Sequence, residues 1–201
     1  MLEWLNMKIA DNKRKLLMII FIIPLFFVIP FLQSLFFSST TKGSIQINKE
    51  IEENYIKSDK KALLVFFGYV GCTDVCTPVL QSANDLYMSK EFKEYKKSVE
   101  FLFINLTPEV EEFQPDLFAK YFNKNFRGVY LSKKETLNID RAFGIYFSRG
   151  LSDKSELNHT DNIYLIDNSK NRQVIKKMYS THPLNKKQLI SDIKTLLKQS
   201  I

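Results

Sequence analysis

Continuous apolar runs alternate along the chain with stretches of helical spacing. Ala62-Leu63-Leu64-Val65-Phe66-Phe67 is unbroken by any polar residue and lies between Lys60-Lys61 and Gly68. That pattern predicts a strand buried on both faces. Thr77-Pro78 then offers an N-cap and a proline at the first helical position, with Val79, Leu80, Ala83, Leu86 and Tyr87 following at helical spacing. Val99 to Leu106 predicts a second buried strand. Pro115 opens a helix that presents Leu117, Phe118, Tyr121 and Phe122 on one side. Ser132-Lys133-Lys134-Glu135 is a capping box ahead of a helix carrying Leu137 and Phe143. Asn162 to Asp167 and Gln173 to Tyr179 predict a strand pair turning through Asn168–Asn171. The last helix starts near Asn185 and buries Leu189, Ile190, Ile193, Leu196 and Leu197. Ile45 to Tyr55 fits either an edge hairpin or a helix. Strands and helices in this order predict an α/β sheet layered by helices, with no internal repeat.

The first forty residues follow a different rule. Leu16 to Leu32 contains no charge, and the apolar character resumes at Leu35-Phe36-Phe37. This is long enough for a transmembrane helix, with Pro24 and Pro30 as kink positions. A cleaved signal peptide would have a shorter apolar region and a small-residue cleavage site. A core helix is disfavoured because the run is apolar on every side. Lys8, Lys13, Arg14 and Lys15 precede it against Glu3 and Asp11, which places the N-terminus inside and the rest outside. The expected organisation is a cytoplasmic N-terminus over 1–15, a transmembrane anchor over 16–37, a polar linker over 38–44 and a soluble domain over 45–201.

Composition narrows the chemistry. The chain has 201 residues with a net charge of +7, only two cysteines and only two histidines. One domain with a full core fits this length. Two cysteines exclude a multi-disulfide scaffold and a four-cysteine zinc site. Residues 1–15 carry +2 of the charge, and the remaining +5 is mixed among acidic residues. No basic stripe with interleaved aromatics is present, so nucleic-acid binding is not expected.

Cys72 and Cys76 follow the first buried strand and precede a helix. Helix N-terminal amides favour the thiolate, which is both nucleophile and metal ligand. Four-residue spacing brings the thiols together on one turn. The pair can form a structural disulfide, exchange disulfides, or hold a soft ion such as Cu(I), which tolerates low coordination. A third ligand would come from His159 or His182, the two histidines of the chain. His182, followed by Pro183 at the approach to the last helix, reads as a loop residue.

The residues around these positions resemble a known family. Phe66-Phe67-Gly68-Tyr69-Val70-Gly71-Cys72-Thr73-Asp74-Val75-Cys76-Thr77-Pro78 resembles the first signature of the Sco/SenC family. His159-Thr160-Asp161-Asn162-Ile163-Tyr164-Leu165-Ile166-Asp167 resembles its second, in the same order. Phe101 to Phe122 and Ala142 to Phe147 also match, so the likeness runs roughly from Ala62 to Leu197. Thr73 stands where the family has proline, and Leu106-Thr107-Pro108 where it has VDP; no ligand is lost. The resemblance implies a thioredoxin-like fold, a central mixed sheet flanked by helices behind one N-terminal transmembrane helix. It implies Cys72, Cys76 and His159 as ligands to copper, with Cu(I) the expected state and Cu(II) left open, and Asp74 in a supporting role. Oxidation would join Cys72 and Cys76 in a disulfide that gates loading.

The implied activity is that of a membrane-anchored copper chaperone. Its partner would be the copper-accepting subunit of cytochrome c oxidase or another membrane or exported copper protein. The expected location is a bacterial inner membrane with the domain on the periplasmic side; a mitochondrial inner membrane is the less favoured alternative. The rival reading is a thiol–disulfide oxidoreductase acting on exported or copper-site cysteines, with Cys72 attacking and Cys76 resolving.

Overall fold

A computed structural model describes residues 28, 29 and 32, 43–51, 56–149, 157–169 and 172–199. The expected anchor therefore lies outside the described residues apart from Val28, Ile29 and Leu32. Among the described residues no helix is long and apolar enough to cross a membrane.

Ala62–Gly68 forms β2, and every one of its residues is buried. It pairs in parallel with β3 (Val99–Asn105) and antiparallel with β7 (Ile163–Asp167). β8 (Gln173–Tyr179) and then β1 (Ser44–Ile51) extend the sheet antiparallel beyond β7, while β4 (Arg127–Val129) extends it in parallel beyond β3. The order is β1-β8-β7-β2-β3-β4, with a separate two-stranded ribbon of β5 (Phe147–Arg149) and β6 (Leu157–His159). Of the two possibilities at Ile45 to Tyr55, the chain takes neither in full: 44–51 is a single edge strand, and 52–55 lie outside the described residues.

Because side chains alternate across a strand, β2 feeds two cores. Ala62, Leu64 and Phe66 join one with α1 (Cys76–Met88) and α4 (Lys186–Gln199); Ala119 of α2 (Gln114–Phe122) packs there too. Leu63, Val65 and Phe67 join the other, beneath Ile139 and Phe143 of α3 (Lys133–Phe143). On that second face the rings of Phe67, Phe143 and Tyr164 meet edge to face at 4.9–5.6 Å. The capping box of α3 forms as expected, through Ser132 and Glu135. At its other end, the Lys49 ammonium of edge strand β1 donates to the carbonyls of Arg141 and Ala142. This satisfies acceptors that the helix itself leaves open. α4 is pinned to β8 through Asp192, which accepts from Lys177 and from the hydroxyl of Tyr179, both at 2.7 Å.

Three local expectations change. Thr77 is not an N-cap: α1 begins at Cys76, two residues ahead of the expected Pro78, with Val75 in the cap position, and the Thr77 hydroxyl instead donates to the Cys72 carbonyl at 3.1 Å. Of the four apolar residues expected on one side of α2, only Phe118 and Phe122 pack against the core, leaving Leu117 60% and Tyr121 85% exposed. The two i,i+4 pairs form adjacent rows, and only one row faces the sheet. On α3, Leu137 is exposed, and Thr136 and Ile139 are buried beside Phe143.

Gly128 in β4 passes directly under the start of α2. A Cβ there would lie 2.0 Å from the backbone carbon and oxygen of Pro115, which have no rotamer to yield. Gly128→Ala is expected to cost about 3 kcal/mol, at the upper end of overpacking penalties, and to lower the melting temperature by about 6–12 °C. Thermal unfolding followed by circular dichroism checks this.

Candidate metal centre

The site sits where β2 ends. Gly68 closes the strand, and the chain turns through Tyr69–Cys72, with the Cys72 N–H donating to the Tyr69 carbonyl at 3.2 Å. Gly71 holds φ +87° at the third position of this turn, the place where a type II turn demands a residue free to adopt positive φ. A Cβ at Gly68 would come within 2.6 Å of the Cys76 sulfur. Glycine there lets the strand backbone lie against the second thiol.

Both thiols are free and buried. The Cys76 backbone N–H, the first of α1, donates to the Cys72 sulfur at 3.2 Å. His159 approaches from β6, its Nε2 3.5 Å from the Cys76 sulfur. Its Nδ1 lies 3.0 Å from the Thr160 carbonyl, and donating there leaves Nε2 with its lone pair toward the sulfurs. The ring is held edge-on by Tyr69 and Phe66, at 5.9 and 6.2 Å between centroids. The ligating atoms of Cys72, Cys76 and His159 all lie within 4.8 Å of one another. Two soft sulfurs and one imidazole, mostly buried, fit a soft cation of low coordination number.

The electrostatics of the pair are asymmetric. The Cys76 thiol hydrogen-bonds to the Cys72 sulfur and holds that group at about 4, far below the ordinary thiol range. Burial opposes this, while His159 and the backbone N–H groups at the helix start reinforce it. Cys76 moves strongly upward: its proton is held by the Cys72 sulfur, and burial and the neighbouring negative charge add to that hold. The two shifts describe one shared proton, and the thiolate belongs to Cys72 because both the S–H and the N–H of Cys76 point at it. Burial disfavours the His159 imidazolium. The hydrogen bonds to Cys72 and Thr160 and the negative charges of Cys72 and Asp161 outweigh it and raise the group above its ordinary 6.5.

The structure thus brings Cys72, Cys76 and His159 together. Asp74 is exposed in the loop between the cysteines and accepts from the Thr73 hydroxyl at 3.0 Å. It is not part of the ligating cluster. His182 stands apart in the loop before α4, 59% exposed, with its Nε2 2.6 Å from Asp161. Sequence reasoning passed over Gly68, the Tyr69 ring and Asn105. A glycine ending an apolar strand just ahead of a cysteine pair was the available signal for the first.

The SCO1/SenC family model matches residues 48–198. The Mus musculus protein SCO1 homolog, mitochondrial, is 28% identical over 118 residues, which are 55% of this chain and 42% of that protein. The match therefore spans less than half of the curated relative. The structure of Arabidopsis thaliana ScoI with copper bound aligns with a TM-score of 0.57 at 22% identity, over 69% of this chain and 85% of that one. BsSco carries a disulfide switch and is described as a member of the Sco family of cytochrome c oxidase assembly proteins. It aligns with a TM-score of 0.55 at 19% identity, over 76% of this chain and 95% of that one. The mixed sheet with flanking helices is the thioredoxin-like fold of these proteins, and the chain belongs to the SCO1/SenC family.

Proposed function

We propose that this protein binds a copper ion through Cys72, Cys76 and His159 and passes it to a copper site of cytochrome c oxidase during assembly. The observation that carries this reading is the convergence of those three donors, all within 4.8 Å of one another. The copper-bound Arabidopsis relative and the assembly role of BsSco support it. Copper is the cargo. Cys72 offers a thiolate at once, Cys76 gives up its proton as the ion arrives, and neutral His159 completes the set. Release is ligand exchange, with an acceptor's own thiolates or imidazoles replacing these three. An anchor over 16–37, with the domain on the periplasmic side of a bacterial inner membrane, would hold donor and membrane-bound acceptor in one plane. That raises their effective concentration without new contacts.

A second reading rests on the low pKa of Cys72. A thiolate there can attack a substrate disulfide, expelling one substrate thiolate and forming a mixed disulfide. Cys76 then attacks Cys72, releasing the second thiol and leaving Cys72–Cys76 oxidised. His159 separates the two readings, because copper needs its nitrogen and exchange does not.

His159→Ala is expected to lower Cu(I) affinity of the reduced domain by more than about 100-fold, beyond the 10–100-fold typical of losing a group that only supports a ligand. Competition against a Cu(I) chelator measures it, and unchanged affinity would refute a three-ligand site. Acid should also weaken binding. Above the raised His159 pKa, loading displaces one proton, that of Cys76; below it, loading displaces a second from the imidazole. Affinity is therefore expected to fall about tenfold per unit drop in pH above the imidazole pKa and about a hundredfold per unit below it. It steepens again below about 4, where Cys72 is protonated. Chelator competition across pH reads these slopes.

A further inference from the structure

β2 and β3 run in parallel as far as Gly68 opposite Asn105, and there the two strands part. One backbone bond continues past the end, from the Leu106 N–H to the Gly68 carbonyl at 2.8 Å. The next donor on the site side, the Val70 N–H, has no backbone carbonyl to meet. The side chain of Asn105 takes that place: its Oδ1 accepts from Val70 at 3.0 Å. The same Oδ1 accepts from the Thr107 hydroxyl at 3.1 Å, and Nδ2 donates to the Thr107 carbonyl. Asn105 is 0% exposed, the most deeply buried polar side chain among the described residues. An amide held at both ends in a closed environment has one orientation, and loss of its partner would leave buried groups unpaired.

The segment held in this way touches every member of the metal cluster. Val70 is the second residue of the turn that delivers Cys72. Tyr69, just before it, sets its ring against His159 and directs its backbone N–H at the Cys76 sulfur. Gly71, just after it, has open space where a Cβ would sit. The Asn105 bond ties the middle of the turn to β3, and the Thr77 hydroxyl and Cys76 N–H hold its Cys72 end. We propose that Asn105, locked by Thr107, is a positioning residue for the copper site: it holds the Tyr69–Cys72 turn so that both sulfurs and the His159 ring stay within reach of one ion. This rests on the copper reading above for its purpose, though not for its geometry.

The test uses the full chain, reduced, with two readouts: Cu(I) affinity by chelator competition, and the rate of alkylation of the metal-free thiols by iodoacetamide. Asn105→Leu, close in shape and without hydrogen bonds, is expected to lower Cu(I) affinity about tenfold or more and to change the alkylation rate by a similar factor. Thr107→Val breaks one of the three bonds at a half-buried position that the fold tolerates, and is expected to shift both readouts the same way by about threefold. Ile193→Val, in the α4 core away from the turn, lowers thermal stability but leaves both readouts at wild type. If Asn105→Leu does not fold, Thr107→Val alone decides. Wild-type affinity and alkylation in the folded Asn105 and Thr107 variants would overturn the proposal, as would an equal change in Ile193→Val. If the unmodified chain does not bind Cu(I), the functional reading fails, and the alkylation rates still decide the role of Asn105.

Discussion

One bond organises this molecule, that from the backbone N–H of Cys76 to the sulfur of Cys72. It exists only because α1 starts at Cys76 and a buried strand ends four residues before Cys72. The helix's first free donor therefore has a sulfur to meet, and negative charge gathers on that sulfur. Everything else serves to keep strand end, turn and helix start in place. The two cores clamp β2 from both faces, Gly71 allows the turn, and Gly68 gives the second sulfur room against the backbone.

The asymmetry between the two thiols follows from this. A pair of equivalent buried cysteines would both resist ionisation. Here one is supplied with donors and the other is the donor, so one thiolate is available at neutral pH while the second proton waits for a cation. His159 reaches the pair from a ribbon outside the main sheet, and its Nδ1 is occupied by its neighbour's carbonyl. That fixes which nitrogen faces the sulfurs. A site with two sulfurs, one nitrogen and no carboxylate ligand, Asp74 standing outside it, suits loading and unloading of a soft ion better than permanent retention of a hard one.

Most of the sheet was legible because strands buried on both faces are written as largely apolar runs. β2, β3 and β7 stand where Ala62–Phe67, Val99–Leu106 and Asn162–Asp167 placed them to within a residue. The cysteine pair and His159 were legible by type and setting. What the sequence concealed was partnership at a distance. Nothing local distinguishes Leu117 from Phe118, since only the sheet's position decides which row of α2 is buried. β5 and β6 are three residues each, too short for a periodic signal. Thr77 has the composition of an N-cap, but the tertiary requirement of the Cys72 sulfur moved the helix start ahead of it. Asn105 looks like an ordinary polar strand end until the parting of β2 and β3 leaves the Val70 N–H to be satisfied.

The central claim is that Cys72, Cys76 and His159 hold one ion together. X-ray absorption of the reduced protein loaded with Cu(I) tests it most directly, because the fine structure counts sulfur and nitrogen neighbours. The account predicts one copper per chain with two sulfur neighbours and one imidazole nitrogen. Sulfur-only coordination, with multiple scattering from an imidazole absent, would contradict it.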